Sequence, residues 1–447
     1  MQMGLLTFSG GIHPYEGKDL TKDKPVREYL PKGECVYPLS QHIGAPAVPI
    51  VKRGDRVLVG QKIAEAGGFV SANIHSSISG TVKMIEPRMT SGGNKVNSIV
   101  IENDGLFETV DFSENVRDLS TLYREDIKDM IKEAGIVGMG GAGFPSHVKL
   151  SPRNEDDIEY IIVNGAECEP YLTSDYRRML EETDKLILGL QICVNLFDKA
   201  KGIIAIEDNK PDAIEALTRI ADDPKMDPND EVRVLKLHAS YPQGAEKVLV
   251  QAATGRKVPA GGLPADVGCL VMNIGSVSFL ASYMRTGMPL TMKRVTVDGS
   301  AVQNPQNVIV PIGTKIREVM EFCGGYKEEP QKLIMGGPMM GVAVTTDELP
   351  VLKQNNGLLA FGAEEARLLE PTDCIRCGRC VAACPMNLVP AKLEKYAERK
   401  DVEMLKKLDI MTCMECGCCA FSCPAKRRIV QAIRLGKYYV KKEAAKK

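Results

Sequence analysis

The sequence predicts a multidomain α/β protein. Three observations predict it: a cysteine run written twice near the carboxyl end, a long central stretch where helical and strand patterns alternate, and β-type patterning on both sides of that stretch. At 447 residues the chain exceeds what one core ordinarily organises, so several domains are expected. Lys plus Arg total 57 against 58 Asp plus Glu, a net charge of -1, which disfavours generic nucleic-acid binding. Of the 14 cysteines, most are packed between 374 and 423 and the rest are scattered, a usage that fits reduced thiols better than a disulfide framework. The amino terminus has no basic stretch followed by an apolar run, and no run of about eighteen apolar residues occurs. The expectation is a chain neither exported nor membrane-spanning.

Within the amino-terminal region, 1–105, residues 46–101 read as short alternating strands punctuated by Gly54-Asp55, Gly60-Gln61, Gly67-Gly68 and Gly80-Thr81. This resembles the barrel-sandwich fold of biotinyl and lipoyl carriers, whose working part is a lysine on a hairpin. No lysine occurs between Lys62 and Lys83, so a carrier-like barrel without a swinging arm, used for docking, is expected.

Between about 120 and 290 the period changes. Ile127, Met130, Ile131 and Ala134 fall at helical spacing, with Gly135 as the stop. A glycine-rich stretch follows, then an apolar strand over 158–163 that opens into Asn164-Gly-Ala-Glu167-Cys-Glu169-Pro170, a helix over 176–197 and a buried strand at 202–206. The alternation predicts a three-layer α/β domain. Residues 291–350 return to β patterning around a short helix near 315–323, an order that resembles a β-grasp module of the soluble-ligand-binding type.

From 360 to 430 short helices are expected to carry Cys374-x2-Cys377-x2-Cys380-x3-Cys384-Pro385 and Cys413-x2-Cys416-x2-Cys419-x3-Cys423-Pro424. This is the ligand run of a two-cluster bacterial ferredoxin. Three closely spaced thiolates wrap one corner of a cubane, while the displaced fourth reaches the other cluster. Two [4Fe–4S] centres are therefore predicted, one on Cys374, Cys377, Cys380 and Cys423, the other on Cys413, Cys416, Cys419 and Cys384. A structural zinc site would want two separated cysteine pairs. Cys418 occupies the slot that Arg379 fills in the first run and is expected to be a neighbour, not a ligand. Residues 431–447 read as a solvated basic tail that could meet an anionic membrane face or an acidic partner.

Glycines at 138, 140, 141 and 143 let a backbone approach a planar ring or a phosphate, because no Cβ intervenes. Lys149 follows as a candidate phosphate partner. Asn164, Glu167 and Glu169 stand at a strand exit, where α/β sheets bind cofactors. The stretch Gly138-Met-Gly140-Gly141-Ala142-Gly143-Phe144 through Lys149 is similar to the glycine loop of the flavin-bearing, NADH-oxidising subunit of respiratory complex I. Asn164 to Pro170, Tyr241-Pro-Gln-Gly244-Ala-Glu246 and Asn273 resemble further segments of that family, the likeness covering about 125–280. Met139 stands where that family has arginine, and Ala166 and Ala245 replace acidic residues.

The order of modules over nearly the whole chain resembles the RnfC family, subunits of the ion-translocating ferredoxin:NAD oxidoreductase (Rnf) complex. The resemblance implies non-covalent FMN against the 138–143 loop with its phosphate near Lys149. It further implies a nicotinamide space bordered by Phe144, and Glu169 and Glu246 orienting NAD(H). It also implies a peripheral subunit on the cytoplasmic face of the cell membrane, among integral-membrane partners, meeting ferredoxin indirectly through a partner subunit. Two other readings compete: a soluble flavin and iron–sulfur cobalamin reductase, and a docking and electron-wire subunit without a working nicotinamide site. No side chain is assigned as a general acid or base, because hydride transfer needs none.

Overall fold

The computed structural model describes residues 6–445. Residues 1–5 of the amino-terminal region and 446–447 of the basic stretch lie outside the described residues.

The central domain is built on a parallel four-stranded sheet in the order Val232–Leu237, Lys201–Glu207, Tyr160–Gly165, Cys269–Asn273. Its strands are apolar almost throughout because both faces are covered. Ile161, Val163, Ile204 and Ile206 pack on one side with the helices Arg124–Glu133, Thr183–Val194 and Ile274–Thr286. Ile162, Ile203, Ala205 and Val271 face the other side, against the helix Glu246–Thr254. The single helix expected over 176–197 is two, Ser174–Glu181 and Thr183–Val194, broken at Glu182. The break turns the Glu182 carboxylate toward Arg178, Arg294 and Ser278, which hold it ionised below the usual range despite its burial.

In front lies a β module whose longest strands, Gly80–Met89 and Lys95–Asn103, pair antiparallel, flanked by Cys35–Pro38 and Arg56–Val57. A second small sheet, Val48–Pro49, Lys62–Glu65 and Ile74–His75, faces it across a core of Tyr37, Ile63, Ile74 and Ile99. Within the amino-terminal region expected over 1–105, the barrel does not use the whole stretch. Residues 6–28 leave the barrel and strap other domains: Leu6 bridges to Leu237, Ile12 pairs with Tyr241, and Arg27–Glu28 adds an edge strand to the following β module.

That module is a six-stranded sheet in the order Arg27–Glu28, Gln306–Pro311, Met292–Asp298, Gly357–Phe361, Lys332–Met335, Val342–Val344, with the helix Ile316–Phe322 over its core. Its interior strand Gly357–Phe361 comes after the boundary expected at 350, because a few apolar residues after a glycine are too short a signal to place.

The carboxyl-terminal domain is small and helical. Its two cysteine runs repeat one backbone path: positive φ recurs at Arg376 and Glu415, at Gly378 and Gly417, and at Asn387 and Lys426. The expected tail at 431–447 is instead part of a 16-residue helix, Ile429–Ala444. Ile429, Ile433 and Val440 fall on one face and close the core of this domain with Leu393 and Leu405, so the basic residues are the outer side of an amphipathic helix. Arg434 and Lys437 both meet Glu415, and the Lys442 ammonium lies over the Tyr438 ring.

Candidate functional site

At the carboxyl ends of the parallel strands a cleft of about 410 Å³ opens. Gly140, Gly141, Ala142, Asn164, Glu167, Glu169, Tyr241, Gly244 and Asn273, all expected from sequence, line it. Asn273 caps the helix Ile274–Thr286 through the Gly275 amide at 2.8 Å and donates to Asp175 at 2.9 Å. A Cβ at Gly140 would stand 2.6 Å from the Asn273 amide nitrogen, so only glycine lets the loop pass. Gly141 has φ +152 and a Cβ there would meet nothing within 4 Å: its bare backbone faces the cleft. Met139 points away into the core; its amide is held by Ser276 at 3.1 Å and its carbonyl by the buried Lys293 at 3.0 Å.

Asn164 donates to the Gly244 carbonyl at 2.7 Å, tying the strand exit to the turn after Tyr241. Glu167, at φ +45, accepts from the amides of Asp175 and Tyr176 at 2.7 and 3.0 Å and so starts the helix Ser174–Glu181. Lys18, from the amino-terminal strap, donates to the carbonyls of Glu167 and Leu172 at 2.6 and 2.7 Å. Glu169 accepts from the amides of Met339 and Met340 at 3.0 and 2.7 Å, and burial pushes its carboxyl up to about 7. Both glutamates therefore spend their carboxylates on backbone amides.

The cleft does not gather every expected residue. Gly138, Gly143, Phe144, Lys149 and Glu246 stand outside its lining. Gly138 and Phe144 close the base of the loop, the Gly138 amide donating to the Phe144 carbonyl at 2.8 Å. Lys149 donates to Glu246 and to the Val271 carbonyl at 2.8 and 2.9 Å, behind the strand that ends at Asn273. Conversely, sequence reasoning missed the second wall, the turn Gly336-Gly337-Pro338-Met339-Met340-Gly341 and the loop Gln354–Asn356. The glycine spacing is the available signal there, and it marks the end of a strand equally well. Strap residue Lys18 and Asp175 were missed too, and no local pattern marks either.

The cysteines fall into two cavities. Cys374, Cys377, Cys380 and Cys423 line one, and Cys384, Cys413, Cys416 and Cys419 line the other, so the fourth cysteine of each run stands with the first three of its counterpart. Among the described residues no three His, Cys, Asp or Glu side chains converge as ligands of a single ion. Eight thiols in two groups of four are the donor set of iron–sulfur clusters. Cys418 also borders the second cavity, and its thiol donates to the Tyr241 carbonyl at 3.8 Å.

A glycine-lined α/β cleft set against a paired cysteine domain defines an electron-transferring iron–sulfur flavoprotein. Matching family models describe the segments as an RnfC barrel sandwich hybrid domain over 6–106 and a Nuo51 FMN-binding domain over 131–282. An SLBB domain over 294–343 and a 4Fe-4S dicluster domain over 373–426 follow. The chain is 45% identical over 435 residues to the RnfC-type subunit of the Na(+)-translocating ferredoxin:NAD(+) oxidoreductase complex of Acetobacterium woodii, covering 96% of each. It is 46% identical over 442 residues to the corresponding subunit of the proton-translocating complex of Clostridium ljungdahlii, covering 98% of this chain and 94% of that one. The corresponding subunit of the ion-translocating oxidoreductase complex of Rhodobacter capsulatus is 42% identical, over 91% of this chain and 78% of its own. Among solved structures, an NAD+-reducing [NiFe]-hydrogenase in the H2-reduced state matches with TM-score 0.51 at 17% identity, over 73% of this chain and 65% of that one, a likeness of fold. The chain belongs to the RnfC family, to which these three subunits belong.

Proposed function

We propose that this chain is the nicotinamide-side subunit of an ion-translocating ferredoxin:NAD oxidoreductase complex, passing electrons between NAD(H) and partner subunits through FMN and two [4Fe–4S] clusters. Bound flavin supplies the exchange between a two-electron hydride carrier and one-electron clusters. The observation that carries the reading is Tyr241, which lines the cleft and donates its hydroxyl to the Cys416 carbonyl at 2.7 Å, so the two candidate redox sites share a residue.

Each side chain then has a task. Gly140 and Gly141 leave room for a ring, Asn273 and Asn164 fix the two strand exits, and Glu167 and Glu169 hold the loop between them. Lys149 would reach a phosphate only by exchanging its Glu246 partner. The thiolates would hold clusters in the two groups of four given by the cavities. Domain limits that suit this reading are 29–106 for the barrel, 120–290 for a three-layer α/β flavin domain, 291–361 for a β-grasp module and 370–445 for the cluster domain. No helix among the described residues is long and apolar enough to cross a membrane. Integral-membrane partners, a cytoplasmic-face location and indirect contact with ferredoxin complete the proposal. The test is extraction of the purified holoprotein: FMN and about eight irons should be recovered per chain. Recovery of neither would contradict it.

A further inference from the structure

The second wall of the cleft lies outside the segment matched to the FMN-binding domain, and its loop 354–356 lies outside all four matched segments. That loop is held rigidly. Lys353 is buried and its ammonium donates to the carbonyls of Asn73 and Gly135 at 2.5 and 2.8 Å, pinning the loop to the barrel and to the turn after the helix Arg124–Glu133. Asn355 accepts from the Leu352 amide at 2.7 Å, and the Asn356 carbonyl accepts from the Thr296 amide at 3.0 Å.

Between these anchored neighbours, Gln354 has no structural task. It lines the cleft, and its side-chain oxygen is buried without a hydrogen-bond partner. It also lies against the glycine loop: a Cβ at Gly143 would stand 3.4 Å from the Gln354 Cβ. A buried acceptor left unpaired is costly, and one on the wall of this cleft is placed to gain a partner from what the cleft binds. A neutral amide offers an acceptor and a donor side by side, the complement of a C=O and N–H edge. The flavin ring and the nicotinamide carboxamide both carry such an edge.

We propose that Gln354 is a recognition residue of this cleft, its amide pairing with the C=O and N–H edge of the bound ring. The inference rests on the functional reading above. Two measurements separate the two sources of that edge: FMN affinity of the flavin-depleted protein, by fluorescence quenching, and NADH affinity of the flavin-loaded protein, from rapid-mixing spectra. Gln354→Met, which keeps the length and removes the amide, should weaken one of the two by about tenfold, the size of one lost hydrogen bond. Gln354→Asn should recover part of the loss. Circular dichroism and iron content should match the wild type. If the Met variant does not fold, Gln354→Leu, which also removes the amide, is measured under the same criterion. Constants within about twofold of wild type in both arms, for a wild type that binds FMN and is bleached by NADH, would overturn the role of Gln354 alone. A wild type that takes up no FMN would overturn the functional reading and this inference with it.

Discussion

The hydroxyl of Tyr241 donates to the carbonyl of Cys416 at 2.7 Å, and the thiol of Cys418 donates back to the carbonyl of Tyr241 at 3.8 Å. Ile12, from the amino-terminal strap, pairs with the same tyrosine in both directions, at 2.9 Å each. Tyr241 is thus a junction of the cleft, the second cysteine cavity and the strap. Tyr241→Phe removes the bond to Cys416 and leaves its carbonyl unpaired, a loss of about 1 kcal/mol. Iron release from the second cluster should quicken while the first is unaffected, as a chelator time course would read.

Cys384→Ala tests the crossed grouping. Cys384 belongs to the first run yet lines the cavity of the second. The variant should lose about four of about eight irons, and those lost should be the second cluster's. Loss of the first cluster in its place would refute the grouping.

The two clusters should also differ in lability. Cys374 and Cys377 are exposed, whereas Cys416 and Cys419 are buried. Exposure admits chelator and oxidant, so under air the first cluster should bleach before the second; the reverse order would count against the arrangement.

Glu169 predicts a pH dependence. Burial raises its carboxyl from an unfolded value near 4.5 to about 7, so its contribution to stability is fully present below about 4.5 and is lost as pH rises through about 7. Glu169→Gln mimics the protonated form. The melting temperature of the variant minus that of the wild type, measured without flavin, should grow between about pH 5 and 8; a flat difference would show that the carboxyl titrates normally.

Gly140→Ala places a methyl 2.6 Å from the Asn273 amide. Displacing Asn273 breaks its bonds to Asp175 and to the Gly275 amide, a cost of about 1–2 kcal/mol by loss of the cap alone. Flavin retention on gel filtration should fall with it.

These residues also mark what the sequence could reveal. The cysteine spacing is legible because it is local, and the two cavities are lined by the groups of four that the spacing suggests. The glycine loop and the strand exits are legible because they lie close along the chain to the strands that position them. Lys149 follows the loop by adjacency, but a four-residue helix, Ser146–Lys149, turns it behind the sheet to Glu246. The wall at 336–341 and 354–356 depends on another domain folding against the cleft, and Lys18 on a strap far away in sequence. The basic carboxyl-terminal stretch reads as a tail only while charge is weighed above the spacing of Ile429, Ile433 and Val440.

Electron exchange between nicotinamide and clusters within this one chain is read by anaerobic titration of the purified holoprotein with NADH, followed by visible absorption and electron paramagnetic resonance. The flavin band should bleach and a reduced-cluster signal should appear, both in the wild type without any partner present. A flavin that stays oxidised under excess NADH, in protein holding its full FMN and iron, would contradict it.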